Sequence, residues 1–227
     1  MGIIERSLAA VEAESVLEVG LGMGGPSWFL AKGRRYRGYE PDQKAIEIAR
    51  ERLAGCEDVT LVNEFIPSEP DESFDALVAL EVLEHIEDDI STLSAWTKWV
   101  KPGGTVVLSV PAHSNRFGPY DAQVGHFRRY EREQLVAVMS EAGLSSIEVR
   151  SFGMPLGFLL EGIRNRVLAK RLPDTETMES QTARSGRSFQ PMSGAFVVNA
   201  LVMPFRLLQL PFERTDLGIG YVAWGRV

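Results

Sequence analysis

Short apolar runs alternate with longer amphipathic stretches along most of the chain. The runs that predict strands are 15–19, 36–40, 59–62, 74–80, 104–110 and 146–152. The stretches with the helical spacing of apolar positions are 24–32, 43–54, 88–100 and 131–142. Repeated strand–helix units of this kind predict an α/β fold, in which right-handed crossovers build a mostly parallel sheet with helices on its faces.

The segment after the sixth predicted strand differs from the rest. Residues 153–215 carry eight Lys and Arg against five acids, a net charge of +3, so the remainder of the chain holds −10. Residues 219–227 then alternate as a strand does and predict a last strand that returns to the sheet. We therefore expect one domain over 1–227, with a core at 14–152 and 216–227 and a cationic, apolar insertion at 153–215 that caps it.

Charge and cysteine content narrow the function classes. The 31 acids outnumber the 24 Lys and Arg, and the net charge of −7 argues against a nucleic-acid partner, because phosphate binding needs clustered basic residues. The lone Cys56 can form neither an internal disulfide nor a zinc site by itself, which fits a reducing compartment. These features predict a cytoplasmic protein.

The sequence also predicts that the chain has neither a secretory signal nor a membrane span. The N-terminus has acids where a signal peptide has a basic region, and the most apolar stretch, 195–210, is broken by Asn, Pro, Arg and Gln. Peripheral contact with a membrane stays open, and the sequence does not fix the oligomeric state.

A glycine-rich turn follows the first predicted strand. Gly20, Gly22 and Gly24 allow a tight strand-to-helix turn that a ligand can approach closely, and with Gly25 the string also satisfies the dinucleotide pattern GxGxxG. Glu18 separates the two cofactor classes. A carboxylate there attracts the cationic amino group of a methionine moiety but repels a pyrophosphate. The turn therefore favours a sulfonium cofactor over a nicotinamide dinucleotide.

An acid also ends the second predicted strand. Glu40 lies twenty residues after Gly20, where a carboxylate can accept both ribose hydroxyl protons. Both cofactor classes use such an acid, so Glu40 predicts a ribose site without choosing between them.

Four motifs follow one another in a familiar order. They are EVGLGMG at 18–24, YEPD at 39–42, FDALVALEVLEHI at 74–86 and KPGGTVVLSVP at 101–111. Together they resemble the class I S-adenosylmethionine-dependent methyltransferases over residues 14–152. The resemblance implies S-adenosyl-L-methionine as cofactor and a Rossmann-like three-layer αβα sandwich, with a seven-stranded sheet whose last strand is antiparallel. The run GHFRRY at 125–130 is similar to relatives that methylate quinones, lipids and small metabolites.

The resemblance also implies roles for individual residues. Glu18, Gly20, Gly22 and Gly24 become the wall on the methionine side, Glu40 binds the ribose, and Leu80 contacts the cofactor just past the fourth strand. Asn63 occupies the position where many relatives hold an adenine-binding Asp, so an amide replaces the acid here. Glu64 is the alternative for that role.

Three histidines follow the fourth and fifth predicted strands, whose carboxyl ends line the ligand crevice of an open parallel sheet. His85 and His126 sit inside motif-like segments and are the candidate catalytic bases, whereas His113 has no such support. Asp88 and Asp89 precede a helix and are interpreted as a helix cap, so we expect no metal site. Arg128, Arg129 and Arg132 either grip an anionic acceptor or form a solvated face.

These features predict methyl transfer to a small-molecule acceptor, with O-methylation favoured. Apolar residues at 158–160 and 205–212 can cover a hydrophobic or lipid-linked acceptor, or can serve packing or dimer contacts. Two alternatives remain at this stage. One is a nicotinamide-dependent oxidoreductase, and the other is a catalytically silent protein that keeps the cofactor pocket.

Overall fold

The computed structural model describes residues 2–155, 157, 160, 161, 208 and 210–227. Within them, seven strands form one sheet. The strands are β1 (Ser15–Val19), β2 (Arg35–Tyr39), β3 (Val59–Val62), β4 (Phe74–Leu80), β5 (Val100–Pro111), β6 (Ser145–Phe152) and β7 (Gly220–Arg226). Their order across the sheet is β3-β2-β1-β4-β5-β7-β6. Strands β1 to β5 pair in parallel, and β7 is antiparallel to both β5 and β6. The predicted fold class is confirmed.

Six α-helices accompany the sheet in the described part of the chain. They are α1 (Gly2–Ala9), α2 (Ser27–Ala31), α3 (Gln43–Leu53), α4 (Asp89–Thr97), α5 (Pro119–Val124) and α6 (Arg132–Glu141). The sequence pattern did not predict α1 or α5. Both are shorter than the window of about 11–18 residues over which a helical pattern of apolar positions is recognised, and α1 is held by the burial of Ile4 and Leu8 rather than by a long amphipathic face.

The core lies on both faces of the sheet, and β4 shows why its sequence is a continuous apolar run. Leu77 and Ala79 point to one face while Ala76 and Val78 point to the other, and all four are buried. The first face packs on residues of α4 and α6, among them Leu93, Trp96, Leu135 and Met139. The second packs on residues of the N-terminal helices, among them Ile4, Leu8, Leu30 and Leu53. The result is a three-layer sandwich.

Strand β5 begins earlier than the pattern predicts. The pattern predicts a helix up to residue 100 and a strand from residue 104, but Lys101-Pro102-Gly103-Gly104 already lies inside the strand. Phe74 pairs with Val100 whereas Ala76 pairs with Thr105, so the extra residues bulge out of the ladder. Gly103 has φ +79, a left-handed conformation that glycine adopts readily.

The order of the strands reverses beside β1. Strand β2 lies on one side of β1 and β4 on the other. At such a reversal the connections leave towards opposite faces of the sheet, and a crevice opens at the carboxyl ends of the strands. The loops that follow β1, β2 and β4 therefore carry the candidate site.

Most of the predicted insertion at 153–215, including the apolar residues at 158–159 and 205–207, lies outside the described residues. The division into core and insertion therefore stays a prediction. Among the described residues, no helix combines the length and the apolar character that crossing a bilayer demands.

Candidate functional site

The glycine turn after β1 is built from left-handed residues. Gly20, Gly22 and Gly24 have φ of +68, +53 and +71, a region in which a side chain is strained. A Cβ on Gly20 would lie 2.6 Å from Cγ2 of Val82, and one on Gly24 would lie 3.0 Å from Cβ of Ala49. At Gly22 no atom lies within 4 Å of the same position. Packing therefore requires two of the glycines, while the third faces open space.

Glu40 is fixed beside this turn. Its side chain is buried, and its residue is only 5% exposed. Oε2 accepts a hydrogen bond from the amide of Gly22 at 2.8 Å, and Oε1 accepts one from the amide of Asp42 at 2.9 Å. Burial raises the pKa of the Glu40 carboxyl, and the two amide hydrogen bonds oppose that rise. The carboxylate is thus preorganised next to the open position at Gly22.

Glu18 lies on the sheet itself and is 1% exposed. The hydroxyl of Tyr36, on the neighbouring strand, donates a hydrogen bond to its Oε2. Desolvation raises the pKa of the Glu18 carboxyl to about 7. A Cβ on Gly38 would lie 2.8 Å from the Tyr36 hydroxyl, so a glycine is needed there. Sequence reasoning missed Tyr36, although a glycine inside a strand is a signal of a close approach.

Asn63 follows β3 and ties it to the end of β2. Its Nδ2 donates to the carbonyl oxygens of Glu40 at 2.8 Å and Pro41 at 3.0 Å. A carboxylate in this place would put its oxygens against these carbonyl oxygens, so the observed contacts require an amide. Glu64, the alternative, is exposed. Both assignments to adenine stay predictions.

The end of β4 connects the glycine turn to a second group of side chains. Leu80 is half-buried against the sheet core. Glu81 follows with φ +56 and accepts a hydrogen bond from the Ser109 hydroxyl at 2.6 Å. Val82 then packs against Gly20. The chain next turns through Leu83–His85 as one turn of 3₁₀ helix.

Two of the three histidines come together there. The rings of His85 and His126 lie 4.7 Å apart, edge to face. Nδ1 of His126 lies 2.9 Å from Oδ1 of Asp121, and its Nε2 lies 3.7 Å from Oε1 of Glu84. His113 is elsewhere, with Nε2 3.1 Å from the carbonyl oxygen of Gly218. We call Glu84, His85, His126 and Asp121 the histidine cluster.

The electrostatics of the histidine cluster are unusual. Burial raises the pKa of the Glu84 carboxyl well above its ordinary value, and the carboxylates of Glu81 and Asp121 raise it further. Burial and the neighbouring His126 lower the pKa of His85 to about 4, so its ring is neutral at pH 7. Burial alone would raise the pKa of Asp121, but hydrogen bonds from His126 and Arg129 hold it well below its usual range.

Sequence reasoning missed two members of this cluster. Asp121 is buried and also accepts hydrogen bonds from the Gly118 amide at 2.8 Å and from Nε of Arg129 at 2.8 Å. Glu84 is 0% exposed, and neither of its carboxylate oxygens accepts a hydrogen bond from a described residue. No helical or strand spacing relates Asp121 to His126, so the sequence carried no signal for the first. Only the fold reveals the second.

The three arginines of this segment are engaged within the protein. Arg128 pairs with Asp89 at 2.9 Å, Arg132 pairs with Asp216, and Arg129 is buried. Arg129 binds Asp121 and also donates to Glu161, at the start of the predicted insertion. The three arginines therefore form neither a solvated face nor a free binding site for an anionic acceptor.

The two aspartates before α4 have separate roles. Asp88 caps the helix by accepting from the Ser91 amide at 3.2 Å, as predicted. Asp89 does not cap it. Its buried carboxylate accepts a hydrogen bond from the Tyr130 hydroxyl at 2.8 Å, besides its pair with Arg128. Asp89 lies in the first turn of α4, where an acid complements the helix dipole as predicted, but it makes no capping hydrogen bond.

Comparison with known proteins decides the family. Residues 3–149 match a family model described as a methyltransferase domain. This protein belongs to that methyltransferase family. The resemblance drawn from the four motifs is confirmed, and S-adenosylmethionine is the cofactor of the family.

Relatives of this methyltransferase act on different acceptors. It is 28% identical over 144 residues to phosphoethanolamine N-methyltransferase 1 of Zea mays, covering 59% of this chain and 28% of that protein. It is 32% identical over 115 residues to a ubiquinone biosynthesis O-methyltransferase of Alkalilimnicola ehrlichii, covering 47% and 45%. The chain thus spans less than half the length of these curated relatives.

Among solved structures, phosphoethanolamine N-methyltransferase 2 of Haemonchus contortus in complex with S-adenosyl-L-methionine superposes with a TM-score of 0.55 at 19% identity. The match covers 98% of this chain and 52% of that one. This likeness establishes the fold of this methyltransferase.

Proposed function

We propose that this protein transfers the methyl group of S-adenosylmethionine to a small-molecule acceptor. The observation that carries the proposal is the open position at Gly22 beside the preorganised carboxylate of Glu40, at the crevice where the strand order reverses. These residues fit the cofactor of the family. The glycine turn and Glu18 would hold the methionine part, and Glu40 would accept hydrogen bonds from the ribose hydroxyls.

Asn63 and Leu80 complete the proposed cofactor site. The Asn63 amide is anchored by its nitrogen, which leaves its oxygen as the acceptor for an adenine amino group. Leu80, half-buried at the end of β4, offers apolar surface beside it. Glu64 remains the alternative acid for adenine.

When bound, the cofactor supplies an electrophilic methyl group. The protein's task is to hold the acceptor in line with that group and to exclude water. For a hydroxyl acceptor, a base must also take a proton. We propose His126 for this role, with His85 as the second candidate, because Asp121 binds Nδ1 of His126 and leaves Nε2 as the proton acceptor.

We propose O-methylation of a hydrophobic or lipid-linked acceptor. The two candidate bases, His85 and His126, suit a hydroxyl acceptor, which must lose a proton, better than an amine or a carbon acceptor. Two aromatic rings beside the cluster, Phe117 and Phe127, are exposed at 43% and 55%. Exposed aromatic surface near a site favours an apolar ligand. The insertion at 153–215 would cover it within the same domain, and its Glu161 already contacts Arg129 behind the cluster.

Transfer of a labelled methyl group from S-adenosylmethionine to a metabolite extract, with separate lipid and aqueous fractions, tests the proposal. We expect label in a small molecule of the lipid fraction. Calorimetry with S-adenosylmethionine and with NAD is the companion measurement. Binding of NAD alone would indicate the oxidoreductase, and binding of S-adenosylmethionine without any transfer would indicate the silent binding protein.

A further inference from the structure

We propose that Tyr36 is a positioning residue for the cofactor: its hydroxyl fixes the Glu18 carboxylate beside the glycine turn and thereby sets the acid limit of cofactor binding. The inference rests on the proposed function, in which Glu18 meets the methionine part of S-adenosylmethionine. Tyr36 lies inside β2 and belongs to none of the four sequence motifs. Only the fold brings it to the site.

The register of the sheet carries the Tyr36 hydroxyl to Glu18. Strands β1 and β2 pair in parallel, with Glu18 beside Gly38. Tyr36 and Gly38 lie two residues apart on the same face of β2, and a Cβ on Gly38 would lie 2.8 Å from the Tyr36 hydroxyl. The tyrosine ring therefore extends over Gly38 towards the carboxyl end of the sheet, where its hydroxyl donates to Oε2 of Glu18. The contact depends on the space that a side chain at position 38 would fill.

The protein interior encloses this pair. Glu18 and Tyr36 are both buried. The other groups that face the Glu18 carboxylate are the buried hydroxyl of Ser27, at the start of α2, and the carboxylate of Glu40. Cys56, after α3, is a further titratable group near Tyr36. None of these side chains is a cation, so hydroxyl donors are what favour the charged form of Glu18 before the cofactor binds.

The direction of the hydrogen bond makes the contact sensitive to charge. Burial and the neighbouring Glu18 raise the pKa of Tyr36 well above its ordinary value, so its hydroxyl stays protonated and acts as a donor. A hydrogen bond to a charged acceptor is stronger than one between neutral groups. The Tyr36 hydroxyl therefore lowers the pKa of the Glu18 carboxyl and opposes the rise that burial causes. Without the hydroxyl, Glu18 would stay protonated to a higher pH.

A hydroxyl suits this position better than a basic side chain. A lysine or arginine beside Glu18 would neutralise the carboxylate permanently and would repel the cationic amino group of the cofactor. Tyr36 stabilises the negative charge without adding a positive one. The carboxylate is thus held in place and still attracts the amino group.

The test compares the affinity of the wild type and of Tyr36→Phe for S-adenosylhomocysteine, by calorimetry on the full chain at pH 6, 7 and 8.5. This demethylated product keeps the methionine amino group, whose own titration cancels when the two proteins are compared at one pH. We expect the variant to bind about five- to tenfold more weakly at pH 6, but less than about twofold more weakly at pH 8.5, where Glu18 is charged in both proteins. A tyrosine that only stabilised the fold would weaken binding by the same factor at every pH.

Tyr221→Phe is the matched control. That buried tyrosine also donates to a carboxylate, Oδ1 of Asp216 at 3.2 Å, but it lies on β7, three strands away from β1. Its variant should bind as the wild type does at each pH. Ser27→Ala removes the second hydroxyl that faces Glu18 and keeps the inference testable if Tyr36→Phe is unstable. It should change the pH dependence in the same direction, by less than Tyr36→Phe.

Titration of the Glu18 carboxyl by carbon NMR gives a second readout in the cofactor-free protein. Its midpoint should move to higher pH in Tyr36→Phe. An unchanged midpoint, or an equal loss of affinity at all three pH values, would overturn the inference while leaving the proposed function intact. Failure of the proposed function has a different signature: the wild type does not bind S-adenosylhomocysteine, or Glu18→Gln binds it as the wild type does. Either of these results also overturns the role of Tyr36.

Discussion

Three buried glutamates at one edge of the sheet differ only in what surrounds them. Two backbone amides hold Glu40, a tyrosine hydroxyl holds Glu18, and no hydrogen bond from the described residues reaches the carboxylate of Glu84. The sequence identifies Glu18 and Glu40 as acids at the ends of strands, whereas Glu84 stands out only in the fold. Their surroundings come from other strands and loops, so their chemistry becomes visible only in the fold.

Replacing Glu40 by alanine tests the ribose assignment. Charge-assisted hydrogen bonds are each worth about 1.5–3 kcal/mol, so Glu40→Ala should weaken S-adenosylmethionine binding by about that amount in calorimetry. Glu57→Ala is the matched control, because Glu57 is an exposed acid before β3, at the opposite edge of the sheet. Equal affinity of the Glu40 variant and the wild type would remove Glu40 from the site.

Glu18 should make cofactor binding depend on pH. Its pKa of about 7 means that the carboxyl is mostly protonated at pH 6 in the free protein. A cationic amino group favours the carboxylate, so affinity should rise several-fold between pH 6 and pH 7.5. The window ends there because the amino group of the cofactor itself begins to titrate. In Glu18→Gln the rise should be absent, and a rise that persists would place the titrating group elsewhere.

At the scale of elements, Asp75 joins three parts of the sheet at the edge opposite the glycine turn. Its Oδ2 accepts from the Ser15 amide at 2.8 Å and from the Ser15 hydroxyl at 2.7 Å, while Oδ1 accepts from Lys101 at 2.7 Å. Burial alone would raise its pKa, but these bonds lower it to about 2. Asp75 therefore stabilises the contact of β1, β4 and β5.

Asp75→Asn should lower the free energy of unfolding by about 1–2 kcal/mol at pH 7, since the bonds to the charged carboxylate weaken. Because the folded pKa lies below the unfolded value, this stabilisation is present above about pH 4 and is lost as the pH falls towards 2. Denaturant titrations at pH 7 and pH 3 measure it. Asp71→Asn, in an exposed pair with Arg37, is the control and should change little. A difference that does not shrink at pH 3 would contradict the assignment.

Elements buried on two faces were the easiest to predict. Strand β4 is apolar throughout because helices cover both of its sides, so its run of residues matched the observed strand. Helix α5 was missed because it is a short turn, in which the Gly118 amide donates to Asp121 and Asp121 in turn binds His126. The bulge in β5 was missed because pairing with β4, and not local pattern, extends that strand.

The residues of the candidate site likewise differ in how far their positions could be predicted from the sequence. The position of the glycine turn, Glu40 and Asn63 at one edge of the sheet could be predicted because they follow directly after strands, and the chain position of each strand end is visible in the sequence. Their role in cofactor binding stays a prediction. The histidine cluster could be predicted only in part. His85 and His126 stood out as residue types, but Glu84 meets them through the packing of the 125–130 loop, where the Phe127 amide binds the Glu84 carbonyl oxygen at 2.8 Å.

At the scale of the whole molecule, β7 connects the edge strand β6 to the rest of the sheet. It lies between β5 and β6, and β6 pairs with no other strand in the described structure. Truncation after Gly218 should therefore abolish both the cooperative thermal transition and cofactor binding. Removal of Val227 alone, an exposed residue beyond the strand, is the control. A sharp transition in the truncated protein, followed by circular dichroism, would show that β7 is dispensable.

The position of β7 also has a consequence for biosynthesis. Strand β6 ends at Phe152 and β7 begins at Gly220, so at cellular synthesis rates β7 is made about 3–14 s after the two strands it must join. Throughout that interval β5 and β6 present unpaired edges, which are templates for pairing with other chains. We therefore expect a nascent chain of this protein to expose these edges for seconds, and the yield of folded protein to respond to translation speed between these two strands.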